Sequence, residues 1–574
     1  MASLTFTRRR FLGVPLAVVA MIALVACGGN DSTAVREDQL APPDQQVLRV
    51  RLIGEPKTID PHLTNTVSET SISKPLFAGL FTYDPNLKIV PNLATEVPTA
   101  ENGGISKDGL TYTVKMDKDA KWSDGKPVTA ADMVYSMKRA MDPKLAGPYV
   151  SFFYGIAGAR DYNRALGTTA APKDASAVEL AALRDKIGVS AKDENTVVYQ
   201  LTQPNPSFLN QLALWTAFPV RQDIVEKYGT NWTEARNHVG NGPFMLKEWA
   251  HNERIVLVPN PYWHGDKPHL TRLEINFIAD DAAAYAAYLN DELDVAVVPP
   301  ASRREALTPG TPANAQMQRI AELTTYAVFM NGAQAPFDNM KVRQAIGMAI
   351  DRDAYVEGVL QQGGRSTTSW LPPGMPGYSP QIGKQYEYNP AKAKALLAEA
   401  GYPDGKGLAP IQFMAVSNDT NRLTGQFIED QLKKNLGIES TTEYLESRVY
   451  SARLAAKDYN ATIQRWGADW PYPDNWLPEL FGTDKSTNYF NYKNPKFDDL
   501  VTRAALEPDE NKRLVLYNDA HKLVVDEAAL MPIYNREQMI VVKPKVKGLI
   551  ATGIDGALKG DYFFHKTYIA AAAQ

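Results

Sequence analysis

The sequence predicts a mixed architecture, α/β or α+β, in packed layers. Strand-like alternation and helix caps follow one another along the whole chain instead of falling in separate blocks. No segment repeats at a fixed period, which excludes a solenoid or propeller. Hydrophobic residues make up 44% and charged residues 22% of the 574, the proportions of an ordinary globular protein, and the length alone would hold about four domains.

In chain order, residues 47–53 (VLRVRLI) alternate apolar and basic side chains over much of their length, a strand pattern, and residues 111–116 (TYTVKM) do the same. Thr129-Ala130-Ala131-Asp132 opens a helix. Thr129 can accept from a first-turn N–H, Asp132 sits at the positive dipole end, and Met133, Val134, Met137 and Met141 form the apolar face. Residues 254–258 (RIVLV) read as a strand with a buried face. Between Asn276 and Pro299 a helix over 280–289 precedes a strand over 295–298, and another helix covers about 341–350. Asn389-Pro390 opens a further helix, with proline where its missing N–H costs nothing. Ala393, Leu396, Leu397 and Ala400 line its core face and Gly401 closes it.

The only cysteine, Cys27, follows Leu24-Val25-Ala26 and precedes two glycines. Upstream lie Arg8, Arg9, Arg10 and an apolar run of 16 residues, shorter than the roughly 20 of a spanning helix. This is the layout of a secretory signal. Leu-Val-Ala-Cys resembles the lipobox of bacterial lipoproteins, which implies that Cys27 becomes the lipidated first residue after residues 1–26 are removed. Thr7-Arg8-Arg9-Arg10-Phe11-Leu12 also resembles a twin-arginine signal, and both export routes stay open. Residues 27–46 read as the lipidated cysteine and a flexible polar tether. Formal net charge is -4, and loss of the signal takes three arginines and no acids, leaving -7. Such a chain has no electrostatic footprint for nucleic acid. Without a second cysteine, stability must come from a large core.

Motifs for catalysis are absent. The seven histidines (His62, His238, His251, His264, His269, His521, His565) are scattered with no HExxH or Cys/His set. There is no Gly-x-Ser-x-Gly elbow, Walker loop or dinucleotide fingerprint. Asp280-Asp281 and Asp498-Asp499 are read as solvated surface pairs. No enzyme activity, cofactor or metal is assigned, although a secreted glycosidase would need only two carboxylates that spacing does not reveal.

Several segments together resemble one family, the solute-binding lipoproteins (family 5) of peptide-type ABC importers, and the oligopeptide-binding proteins in particular. They are residues 55–62 (EPKTIDPH), 120–130 (AKWSDGKPVTA), 241–244 (NGPF) with 252–257 (NERIVL), 342–345 (VRQA) with 349–352 (AIDR), and 466–469 (WGAD) with 489–498. The match runs from about 47 to 570. The resemblance implies a two-lobed periplasmic-binding-protein fold of the class II type with a ligand cleft between the lobes. The first lobe would combine 47–77, 211–326 and 536–574; an extra domain, 78–210, would pack on it; the second lobe would be 327–535. The partners implied are short peptides and the permease subunits of the membrane, with a monomer lipid-anchored at the outer face of the cell membrane.

The resemblance also implies site residues. Asp469 matches the aspartate that pairs with a peptide's α-ammonium. Asn65, Thr66 and Val67 on one lobe, and Arg465, Trp466 and Gly467 on the other, match segments that pair with peptide main chain. Tyr149 and Trp466 match aromatic pocket positions. On spacing alone Asp469 reads equally as a helix cap or turn residue, Tyr149 and Trp466 as core aromatics, and Trp122 and Asp124 as a structural turn. The chain departs from the pattern at Asn65, Ser447, Leu454, Ile463 and Asn421. The last three stand where the ligand carboxylate would be read, and Arg453, Arg465, Arg422 and Arg536 are candidates to compensate. The same fold with a metal chelate, glycan, haem or cell-wall peptide as ligand is the alternative.

Overall fold

The computed structural model describes residues 40–571 apart from 169, 170, 484 and 486. Cys27 and the signal lie outside the described residues. Within residues 40–46, expected in the tether, Ala41 and Gln46 are buried while residues 42–45 stay exposed; the Gln46 amide donates to Ala41 O and Ile569 O, and its side-chain carbonyl oxygen accepts from the Ile569 N–H. No described helix is long and apolar enough to cross a membrane.

Three bodies of sheet and helix are present. A four-stranded sheet runs in the order Val47–Leu52, Arg272–Phe277, Arg254–Pro259, Phe244–Ala250, with the first pair parallel. Its core holds Leu48, Ile255, Leu273 and Ile275, the apolar members of the alternating strands. A three-stranded sheet, Thr111–Lys115, Thr196–Gln200 and Val189–Asp193, shares a second core with the helix Ala130–Ala140, whose Met133, Met137 and following Met141 are buried. That helix carries the full capping box, Thr129 accepting from the Asp132 N–H and Asp132 from the Thr129 N–H. Asn389 caps the helix Pro390–Glu399 with proline in its first turn, and Gly401 takes φ +95° just beyond it.

The largest sheet orders Val295–Val297, Leu530–Val542, Met317–Met330, Ala461–Gly467, Ile411–Val416 and Ser440–Leu445, with Gly364–Ser366 added on Leu530–Val542. Two of its strands are unusually long, and they serve two cores. Met317–Ala321 pairs with Glu537–Val541, where Ile320 and Ile540 face the core of the four-stranded sheet. Thr325–Phe329 pairs with Leu530–Asn535, inside the core that holds Phe329, Trp370 and Trp476. The register breaks between Ala321 and Thr325. Such an irregularity bends and twists the pair where it passes from one body to the other.

The recognisable motifs are structural joints. Asp60 is buried and receives the Arg139 guanidinium, the Trp232 indole N–H and the His62 N–H, which fastens the 130–140 helix to the four-stranded body. Arg139 also donates to His62 Nδ1 at 2.8 Å, so the His62 Nε2–H donates to Phe218 O, and burial holds this imidazole neutral at a pKa of about 4. Trp122 is fully buried in a turn closed by Gly125 at φ +87°, and Asp124 pairs with Arg221 at 2.9 Å. Arg343 donates to the carbonyls of Phe337, Glu527 and Ala528.

Candidate functional site

A cavity of about 1180 Å³ lies where the bodies meet, larger than the roughly 300–1,000 Å³ of ordinary small-molecule sites. Of the eight ligand-contact residues expected, Asn65, Thr66, Val67, Tyr149, Arg465, Gly467 and Asp469 line it.

Asp469 follows directly on the strand Ala461–Gly467. Its own N–H donates to Asn475 Oδ1 at 2.8 Å, and one carboxylate oxygen accepts from Asn475 Nδ2 at 3.2 Å. It caps no helix, and no described cation pairs with it. Burial raises its pKa to about 6, Glu479 pushes in the same direction, and the Asn475 bond only partly offsets them. Tyr149 lies close enough for the Asp469 charge to add to the burial that lifts its phenol to about 12. The Tyr149 ring packs edge-on against Trp215 at 5.1 Å.

Trp466 is absent from the cavity wall. It packs on the large core and donates its indole N–H to Asn475 O at 2.9 Å. It therefore braces the residue that holds Asp469. Gly467 keeps the wall low, since a Cβ there would stand 3.1 Å from Thr324 Oγ1.

The two main-chain segments differ. Ala461–Gly467 pairs with Met317–Met330 along its length, but with Ile411–Val416 only at Ala461 and Thr462. Beyond that point its second edge has no strand beside it among the described residues, so an extended chain can add there. The other segment is no strand. Thr66 caps the helix Val67–Leu76, and Glu69 accepts from the N–H groups of both Asn65 and Thr66. The Asn65 and Thr66 N–H groups are thus spent within the cap and are not free to pair with a ligand main chain.

The four arginines nearest the missing carboxylate-reading positions divide evenly. Arg453 is bound to Glu443 at 2.7 Å and also pairs with Asp458, while Arg422 lies over the Tyr444 ring and donates to Ser417. Neither lines the cavity, whereas Arg465 and Arg536 do. Leu454 is buried, and Ile463 and Asn421 are on the wall without charge. Arg303, Glu322 and Lys559, which sequence reading missed, also line the cavity. No signal in the chain marks them, because their placement depends on how distant segments pack. Among the described residues no cluster of three or more His, Cys, Asp or Glu is placed to hold a metal.

The sequence profile of the bacterial extracellular solute-binding proteins, family 5, matches residues 88–488. The chain belongs to that family. Family 5 members bind substrates for transporters and are not enzymes. The murein peptide-binding protein MppA of Escherichia coli is 30% identical over 88% of this chain and 90% of its own length. The oligopeptide-binding protein OppA of Salmonella typhimurium is 31% identical over 93% of this chain and 95% of its own. Among solved structures, MppA in its unliganded open form superposes with a TM-score of 0.78 at 28% identity, covering 93% of this chain and 99% of MppA. Haemophilus influenzae OppA in complex with RPPGFSPFR gives 0.69 at 26% identity, covering 93% of this chain and all of that one. These matches establish the two-lobed fold.

Proposed function

We propose that this family 5 protein captures oligopeptides between its lobes and delivers them to an ABC permease, tethered to the outer face of the cell membrane through a lipid on Cys27. The observation that carries the peptide reading is Asp469: a carboxylate in the cavity wall, denied a cation by the protein and next to an open strand edge. A peptide supplies both missing partners, an α-ammonium and main-chain donors and acceptors. Another relative at 31% identity is named a probable deoxycholate-binding protein. Deoxycholate has no amine and would leave Asp469 without a counter-ion, so the geometry favours a peptide.

The lobes we assign are 47–77 with 211–326 and 536–574, and 327–535, with 78–210 packed on the first. The shared strands Met317–Met330 and Leu530–Val542, broken in register at Ala321–Thr325, suit a hinge that closes the cleft. The signal and lipobox support the anchor. Fatty-acid labelling of the exported protein should disappear in Cys27→Ser, and persistent labelling would sink it.

The main test is native mass spectrometry of the signal-less protein followed by sequencing of what it releases. Mixed short peptides are expected; a single non-peptide species or a metal would overturn the reading. Asp469→Asn should then weaken peptide binding by about 2–5 kcal/mol in calorimetry, as expected when a desolvated ion pair loses one partner.

A further inference from the structure

The short helical turn Val150–Phe153, in the extra domain, serves two cores. Val150 and Phe153, three residues apart and so nearly eclipsed, are buried within that domain. Tyr149 and Phe152, also three apart, are left for other contacts. Tyr149 lines the cavity, and Phe152 packs against the core of the large sheet. The Phe152 ring meets the Trp470 ring edge to face at 5.1 Å and lies 5.3 Å from the Tyr149 ring. Trp470 is the residue that follows Asp469.

Trp470 is pinned on its own side as well. It is buried, and its indole N–H donates to Asp474 Oδ1 at 2.8 Å. Asp474 precedes Asn475, whose side chain holds both the Asp469 N–H and its carboxylate. Ser207, again from the extra domain, lies beside the Asp474 carboxylate. Residues 469–475 therefore form one turn that the extra domain touches at Trp470 and at Asp474.

We infer that Phe152, acting through Trp470, is a positioning residue for the ligand's ammonium: the extra domain fixes the turn that carries Asp469. This rests on the peptide reading above. An ionised carboxylate without a cation gains by turning out of a protein wall into water, so it keeps its aim only if it is held. Asn475 holds the side chain, and the Phe152–Trp470 contact holds the backbone one residue on. An edge-to-face aromatic pair suits that task because it is directional as well as apolar. The strength of a charge-assisted hydrogen bond depends in turn on placement within about 0.5 Å. Of the described residues of the extra domain, only Tyr149 lines the cavity. The rest of that domain's influence on the ligand runs through this junction.

The test uses tri-, tetra- and penta-alanine, each with a free and an acetylated N-terminus, titrated calorimetrically into the mature chain and its variants. In the wild type, acetylation of the best-bound length should cost about 30-fold or more, as when a desolvated ion pair loses one partner. In Phe152→Ala the free-amine peptide should lose about tenfold, because its ammonium meets a misplaced carboxylate. The acetylated peptide, which makes no use of Asp469, should stay within about twofold, so the acetylation penalty shrinks. Trp470→Phe keeps a ring against Phe152 but drops the indole N–H to Asp474; its penalty should fall by about threefold, even if Phe152→Ala folds poorly. A loss of overall affinity that is equal for both peptide forms would make the contact structural. An acetylation penalty unchanged in both variants therefore overturns the inference while peptide capture stands. If no alanine peptide binds the wild type in either form, the peptide reading fails first and this inference with it.

Discussion

Asp60 and Asp469 are both removed from bulk water, and their surroundings push them in opposite directions. Burial raises both pKa values, but at Asp60 the Arg139 guanidinium, His62 and an N–H bond reverse the shift and hold the carboxyl below its ordinary range. At Asp469 a single amide of Asn475 leaves the shift upward, to about 6. The first carboxylate has its cation inside the protein and joins two bodies of the fold. The second has its cation left out, at a cavity wall. Unmet demand of this kind separates a binding residue from a structural one better than burial does.

The sharpest way to break this contrast is Asp60→Asn. Arg139 would be left largely buried without its anion, and a loss of about 3–5 kcal/mol of unfolding stability is expected. Denaturant unfolding at neutral pH measures it, and calorimetry on the folded fraction should find peptide affinity unchanged. A loss below about 1 kcal/mol, the scale of a surface pair, would show that Asp60 is not the joint described here.

The same contrast explains what could be read in advance. Helix starts were legible because a cap is a local event: Thr129 with Asp132, and Asn389 with Pro390, carry their partners within one turn. The strands over 47–52 and 254–259 were legible from their apolar patterning. The boundary of the tether was not, since Gln46 finds its partners 523 residues away at Ile569. Asp469 was legible only through resemblance; spacing alone left it a cap or turn residue. Trp466 carried no sequence signal for the core it packs on or for the Asn475 carbonyl that its indole N–H reaches. The capping of Thr66 by Glu69 was written in the sequence as a Thr-x-x-Glu box, a signal that would have shown the Asn65 and Thr66 amides to be occupied. Arg303 carries no local mark, because the carbonyl it donates to, Leu360 O, lies 57 residues along the chain.

A smaller effect sharpens the comparison from the other side. A carboxyl whose folded pKa lies above its unfolded value binds its proton more tightly in the native state, so stability falls as pH rises between the two values. For Asp469 that window runs from 3.8 to about 6. Above it the ligand-free protein carries the full cost of an ionised, unpaired carboxylate, while below it the cost vanishes. Asp469→Asn removes the charge and keeps the shape. The ligand-free variant should therefore be more stable than the wild type at pH 7.5 by roughly 1–3 kcal/mol, discounted for the open cavity, and equal to it near pH 3.5. Saturating peptide should reverse the order at pH 7.5, because only the wild type gains the ammonium pair. Thermal or denaturant unfolding across this pH range, with and without peptide, reads both signs. A ligand-free variant less stable than the wild type at pH 7.5 would mean that Asp469 already has its partner within the protein, and the distinction from Asp60 would fail.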